Sequence, residues 1–267
     1  MPMLRSKQQC EDFSIGDKKM GNDEGVEKLF FELASESRLS ILRELQNENL
    51  KMQEIARRLD VTATEAFRQL ERLSAALLVR RQPDGAFAIA EYGKLVMQLS
   101  SSLEFVSKHK DYFSAHDIMR LPREFVNRLG ELSQANLGTD TVENLNKGER
   151  AFAEAEEYGW GIAEGTVPEH MIPIINERIQ RGIKFKFLIP ENRFSANVSQ
   201  PATPKNVEGR GLLDLPAIVV LSEKEAGVCF RQVGGRVDYA GFFGKDPTFL
   251  NWVKDLFLYY WDRGKRA

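Results

Sequence analysis

The sequence predicts a multidomain α+β protein: a helical N-terminal domain closed by a hairpin, a helical linker, and a C-terminal α/β domain. Three observations predict it. Residues 51–90 read as helix, tight turn, helix and hairpin. Residues 94–116 carry apolar residues at helical spacing. Residues 140–267 interleave β-rich runs with amphipathic helices, the pattern of a sheet covered by helices. At 267 residues the chain suits one large or two modest domains, each able to bury its own core.

The composition is ordinary for a globular chain, at 42% apolar and 28% charged residues with a formal net charge of −2. No apolar run is long enough to span a bilayer, and no apolar stretch with a small-residue cleavage site opens the chain. The expected location is therefore the cytoplasm, with no membrane partner. Cys10 and Cys229 are far apart and outside any C-x-x-C. That spacing argues against disulfides, zinc ribbons and redox motifs, so no metal and no cofactor are expected.

Taken in order, residues 1–23 lack periodicity and read as a mobile tail, although Phe13 and Ile15 could dock. The N-terminal domain is expected over 24–92. A helix from Glu24 carries Val26, Leu29, Phe30 and Leu33. Ser35 or Ser37 caps the next, where Leu39, Ile41, Leu42 and Leu45 repeat. The third runs from Lys51 to Asp60 with Ile55, Ala56 and Leu59 on one face. After the break at Val61-Thr62, Thr62 and Glu65 form a capping box that starts a fourth helix. Ala66, Phe67, Leu70 and Leu73 are expected to pack. Ala63, Thr64, Glu65, Arg68, Gln69 and Arg72 are expected on the open face. Segments 78–82 and 86–90, joined by Pro83-Asp84-Gly85, make the hairpin.

Helix, turn, second helix and hairpin in that order is a winged helix-turn-helix. A B-form major groove admits one α-helix, and Arg, Gln and Thr read base edges there. The expected partner is double-stranded DNA, contacted by Thr62, Ala63, Thr64, Glu65, Arg68, Gln69 and Arg72 on the helix and by Arg80 and Arg81 on the wing. Helix pairs occur in most helical proteins, and winged modules also make protein contacts. The hairpin with its two arginines favours DNA. Residues 24–91 carry ten basic against twelve acidic residues, but residues 51–81 carry seven against four. Positive charge is thus local, and binding should be salt-sensitive.

The block Leu33-Ala-Ser-Glu-Ser-Arg-Leu-Ser-Ile-Leu-Arg-Glu-Leu45, followed by Gln53-Glu-Ile-Ala56 and the wing, resembles the ArsR-type winged-helix repressors. Their entry helix commonly reads S-x-x-R-L-x-I-L-x-x-L. Metal-binding members hold Cys or His ligands in their helices. Residues 24–92 contain neither, so the resemblance implies no metal sensing.

Residues 93–139 read as linker or dimerisation helices. A helix over 94–116 places Leu95, Leu99, Leu103 and Val106 on one side, suiting a homodimer contact or a connector packed on its own domain. His109 and His116 are seven apart, which is not the i,i+4 spacing of metal pairs, and no chemistry is assigned to them. A short helix follows Pro122, and Gly138-Thr-Asp140 forms a polar bridge.

In the α/β domain, expected over 140–267, helices are read at 146–157, after Pro168 or Pro173 to Arg181-Gly182, and after Asp246. Strands are read at 158–164, 183–189, 217–221, 227–232 and 239–243, with 191–211 a loop. The runs Gln180–Pro190, Val220–Ala226 and Asp246–Trp261 resemble the C-terminal half of the archaeal FilR-type methanogenesis regulators, which also carry a winged helix. That resemblance covers roughly 24–267. The helix, Arg181-Gly182, strand and Pro190 element is also similar to phospholipase D-like domains, including the non-catalytic ones of TrmB-type sugar regulators.

Phospholipase D-type catalysis needs a nucleophilic His with a Lys two residues on, and the chain contains no H-x-K. Gly159, Gly161 and Gly165 miss the dinucleotide fingerprint, and there is no Walker loop or G-x-S-x-G. A hydrolase is therefore disfavoured and no catalytic residue is assigned. The expected function is a sequence-specific, homodimeric transcriptional regulator whose second half senses a small-molecule effector or serves purely as a dimerisation platform. Trp160, Glu164, Arg193 and Arg236, near predicted strand ends, are the candidate effector residues.

Overall fold

The computed structural model describes residues 25–165, 168–196 and 205–266. The expected tail over 1–23, with Cys10, Phe13 and Ile15, lies outside them. The chain divides into two compact units between Val96 and Met97.

In the first unit, α1 (Val26–Leu33), α2 (Glu36–Asn47), α3 (Met52–Arg58) and α4 (Ala63–Ala75) precede the hairpin β1 (Val79–Arg81) and β2 (Phe87–Ile89). Ile41, Leu42, Leu45, Ile55, Ala56, Leu70, Leu73 and Leu78 form the buried core. The N-cap half of the capping box is present: the Thr62 hydroxyl accepts from the Glu65 amide at 3.1 Å, while the Glu65 carboxylate accepts from Arg68 and Gln69. It offsets one of the four amides that a helix start leaves unpaired. The hairpin turn needs Gly85, whose φ is +82°. Asp84 stiffens the turn by accepting from the Ala86 amide at 3.0 Å. Leu50 pairs with Phe87, adding a third short strand segment. Against expectation, α1 buries none of its residues, and Val26, Phe30 and Phe31 are exposed.

The long helix expected over 94–116 is two helices. α5 (Glu91–Lys108) ends at His109 and α6 (Lys110–Ala115) begins beyond it. The break lets Phe105, Tyr112 and Phe113 all reach the Phe242 ring, at centroid separations of 4.9–5.9 Å. α7 (Arg123–Asn127) is the short helix after Pro122. The strand β3 (Asn136–Gly138) takes in the first residue of the expected polar bridge, Gly138, and Thr139 and Asp140 lie outside it. Phe105, Tyr112, Leu121, Phe125, Leu129 and Leu132 share one core with the α/β half, so 97–139 is structurally part of the second unit.

α8 (Thr141–Ala153) starts five residues before its expected position. Asp140 caps it by accepting from the Glu143 amide at 2.7 Å, which sets the earlier start. β4 (Tyr158–Ile162), α9 (Ile172–Gln180) and β5 (Lys184–Pro190) follow as expected, α9 ending at Gly182 with φ +90°. The expected loop over 191–211 contains α10 (Glu191–Ala196) and β6 (Val207–Leu212). Then come β7 (Ala217–Ser222), β8 (Ala226–Phe230), β9 (Gly241–Gly244) and α11 (Pro247–Trp261), capped by Asp246.

Among the described residues seven strands form one mixed sheet in the order β3-β9-β8-β7-β4-β5-β6. β4, β5 and β6 are parallel, and the other pairings are antiparallel. One face packs on α11 through Phe230, Phe242, Phe249, Trp252 and Phe257. A smaller cluster of Ala155, Met171, Ile175, Ile183 and Phe185 covers part of the other. The protein is thus α+β, with a helical N-terminal unit closed by a two-stranded hairpin and a C-terminal sheet unit.

Candidate nucleic-acid interface

The orientation of α4 is set by one buried cation. Arg38, on α2, is 6% exposed. Its Nε donates to the Glu32 carbonyl at 2.9 Å and its Nη2 to the Phe31 carbonyl at 2.7 Å. These carbonyls belong to the last turn of α1, where no helical amide can reach them. Nε also meets the Glu32 carboxylate at 2.8 Å, and Nη1 donates to Gln69 Oε1 at 3.1 Å. Burial pulls the Arg38 pKa down, opposed by the Glu32 charge and reinforced by Arg72. Gln69 is therefore committed to the core side of α4.

That corrects two expectations. Gln69, read as an open-face residue, is 7% exposed and also donates to the Glu65 carboxylate. Phe67, read as core, is 50% exposed. The inward stripe is Ala66, Gln69, Leu70 and Leu73, and rotating Gln69 inward turns Phe67 out. Periodicity gives no sign of this, because a Gln at a core position is legible only through its partner.

The other expected DNA contacts sort by what already holds them. Thr62 is exposed at the cap. Ala63, Thr64 and Arg68 are exposed on the first turns of α4, with Arg68 paired to Glu65 at 2.6 Å. The Glu65 carboxyl is held low by hydrogen bonds from Gln69 first and Arg68 second. Arg72 turns back onto α1, pairing with Glu32 at 2.6 Å and lying over the Phe31 ring at 5.1 Å. Arg80 and Arg81 on β1 are both exposed, and neither is in an ion pair with a described residue.

The four effector candidates all lie in the second unit. Trp160 stacks on Phe257 of α11 at 5.2 Å, beneath the ammonium groups of Lys186 and Lys254. Glu164 pairs with Arg231 at 2.7 Å. Arg193 and Arg236 are exposed. Strand ends alone do not locate a cavity, because helix packing decides which end is left open. A cavity of about 330 Å³ instead opens beside α8, at the ends of β3, β8 and β9, and none of the four borders it. Of the histidines, His116 is buried, bonded to the Tyr112 carbonyl at 2.7 Å and facing Asp238, while His170 pairs with Glu149 at the surface.

No protein-family model and no curated protein matches the chain. Among solved structures, the chain is similar to TrmBL2, an archaeal chromatin protein described as showing a novel mode of DNA binding. The identity is 17% and the TM-score 0.42, over 92% of this chain and 100% of that one. NucT from Helicobacter pylori matches at 11% identity and TM-score 0.39, over 50% of this chain and 98% of that one. PigF with SAH matches at 14% and 0.24, over 70% and 60%. At TM-scores below 0.5 these likenesses carry no functional argument. Among the described residues no helix is long and apolar enough to cross a membrane.

Proposed function

We propose that the chain is a sequence-specific DNA-binding transcriptional regulator that acts as a homodimer in the cytoplasm, with the 97–267 unit sensing a small-molecule effector. The observation that carries the reading is the outward edge of α4. Ala63, Thr64, Phe67 and Arg68 stand free of the core on a helix whose rotation is locked by Arg38, with two unpaired arginines on the adjoining wing. A rigid helix with a polar and apolar outer edge suits major-groove readout. Unpaired wing arginines suit phosphate, which positions without specifying. Gln69 and Arg72 are assigned structural roles instead.

A single recognition helix reads only a few base pairs, so two are needed to select one site in a genome. The α5 stripe of Leu95, Leu99 and Leu103, at i, i+4 and i+8 and each exposed, supports a helix-to-helix seam.

The test is selection from random duplex DNA, followed by titration of the selected site at several salt concentrations. Arg68→Ala should relax preference at one position at a cost of about 1–3 kcal/mol. The Arg80→Ala/Arg81→Ala pair should weaken binding to all sequences and flatten the salt slope. Failure to enrich any sequence would remove the reading.

A further inference from the structure

We infer that the cavity beside α8 is a binding site for a small organic anion, a carboxylate or phosphate monoester carrying a flat apolar body. Three cations, Lys147 and Arg150 of α8 and Lys245 beyond β9, line one void together with a single carboxylate, Glu225. Glu225 is 7% exposed. A carboxylate buried to that degree must be paired, and Arg150 does so bidentately, Nε to Oε1 at 3.1 Å and Nη2 to Oε2 at 2.9 Å. The pair orients the guanidinium and leaves Nη1 without a partner among the described residues.

Two ammonium groups then remain. Lys245 lies 3.6 Å from a carboxylate already held by Arg150, and its side chain is 65% exposed. Lys147 pairs at 2.7 Å with Glu143, which is itself exposed, so that partner is readily exchanged. Counted over the lining side chains alone, the void carries an excess of two positive charges. Asn136 and Gln134 add amide groups at its rim.

Beside the charges the void has apolar lining. The Phe243 ring lies 5.3 Å from the Lys147 ammonium, and Val220 and Ala151 line the void with it. A volume of about 330 Å³ is at the lower end for ligand pockets, and apolar walls with a few convergent polar groups are their usual make-up. An inorganic ion would use only the charged side. An anion with a ring or branched chain uses both.

The site stands whether or not the chain binds DNA; only its role as an effector site rests on the sensor reading above. The experiment is calorimetric titration of the full chain with phenyl phosphate, benzoate and inorganic phosphate. Saturable binding is expected for phenyl phosphate or benzoate, and whichever binds better identifies the head group. The Lys147→Gln/Lys245→Gln variant, whose changes are partly solvated, should weaken it at least about tenfold. Phe243→Leu should narrow the advantage over inorganic phosphate, and Lys184→Gln, a remote surface change, should do nothing. No saturable binding, or binding indifferent to the lysine pair, would overturn the site. Equal affinity for inorganic phosphate and phenyl phosphate would overturn the apolar half of the assignment. Affinity for selected DNA is measured in parallel, with and without the probe. Probe binding at the lysine pair that leaves DNA affinity unchanged supports the site and removes the sensor reading.

Discussion

Replacing Arg38 by Met keeps the length of the side chain and removes its charge from the centre of the first unit. Four contacts go at once: the α1 carbonyls of Phe31 and Glu32, the Glu32 carboxylate and Gln69 Oε1. The Glu32 side chain is 15% exposed and, among the described residues, keeps Arg72 as its partner. Breaking a buried pair from one side costs about 3–5 kcal/mol. The surviving Arg72 contact puts Arg38→Met at the lower end, about 3 kcal/mol. A unit of roughly 70 residues has about 4–10 kcal/mol of stability in all, so the loss is a large share. With a urea slope near 1 kcal/mol/M for a unit this small, the midpoint should fall by about 3 M. The assay can separate the two units, because Trp160, Trp252 and Trp261 all lie in 97–267. Tryptophan fluorescence follows the second unit alone, whereas far-ultraviolet dichroism reports both. The dichroism transition should gain an early phase while the fluorescence midpoint stays put. Arg57→Ala, which removes an exposed pair with Glu54, should leave the dichroism curve where the wild type has it. A dichroism curve for Arg38→Met that overlays the wild type would refute the claim that this cation fixes α4.

Three further outcomes are expected. If Phe67 meets a thymine methyl, deoxyuridine at that base should weaken wild-type binding about fourfold, the worth of one buried methyl group. Phe67→Ala should abolish the difference; equal sensitivity in both proteins would exclude the contact. Burial first, and the Lys108 charge second, lower the pKa of His109, whose Nε2 is buried without a hydrogen-bond partner between Phe105 and Phe242. The unfolded chain then binds the proton more readily, so this contribution is intact above the unfolded pKa of about 6.5 and is lost as pH falls from there through the folded value. His109→Leu should therefore show a smaller drop in the fluorescence-monitored urea midpoint between neutral and mildly acid pH, and an unchanged slope would contradict it. Leu99→Glu with Leu103→Glu should give a monomer by light scattering where the wild type is a dimer; a wild-type monomer at tens of micromolar, with and without DNA, would remove the α5 seam.

Several features held by contacts within about four residues were legible in the sequence, although the Asp140 cap of α8 was not. Thr62 with Glu65, Asp246 ahead of Pro247, and Pro83-Asp84-Gly85 each carry their own partner locally, so the helix starts and the hairpin turn follow from the letters alone. The apolar periodicity of 247–261 likewise predicts the face that α11 buries. Features set by distant partners were not. Gln69 turns inward because Arg38, 31 residues away, needs an acceptor there, and that rotation moves Phe67 to the surface. The break at His109 follows from Phe242 offering a ring to both flanking helices. β6, with two glycines and two charges in Val-Glu-Gly-Arg-Gly-Leu, lacks a strand's usual pattern and is a strand because β5 offers it a parallel ladder. The cavity has the same origin. Lys147, Arg150, Glu225 and Lys245 lie on three separate stretches of chain, and only the packing of α8 across the sheet brings their charges to one void. Short-range geometry is written in neighbouring residues, whereas the residues that a folded chain leaves facing solvent, or facing one another, depend on everything packed behind them.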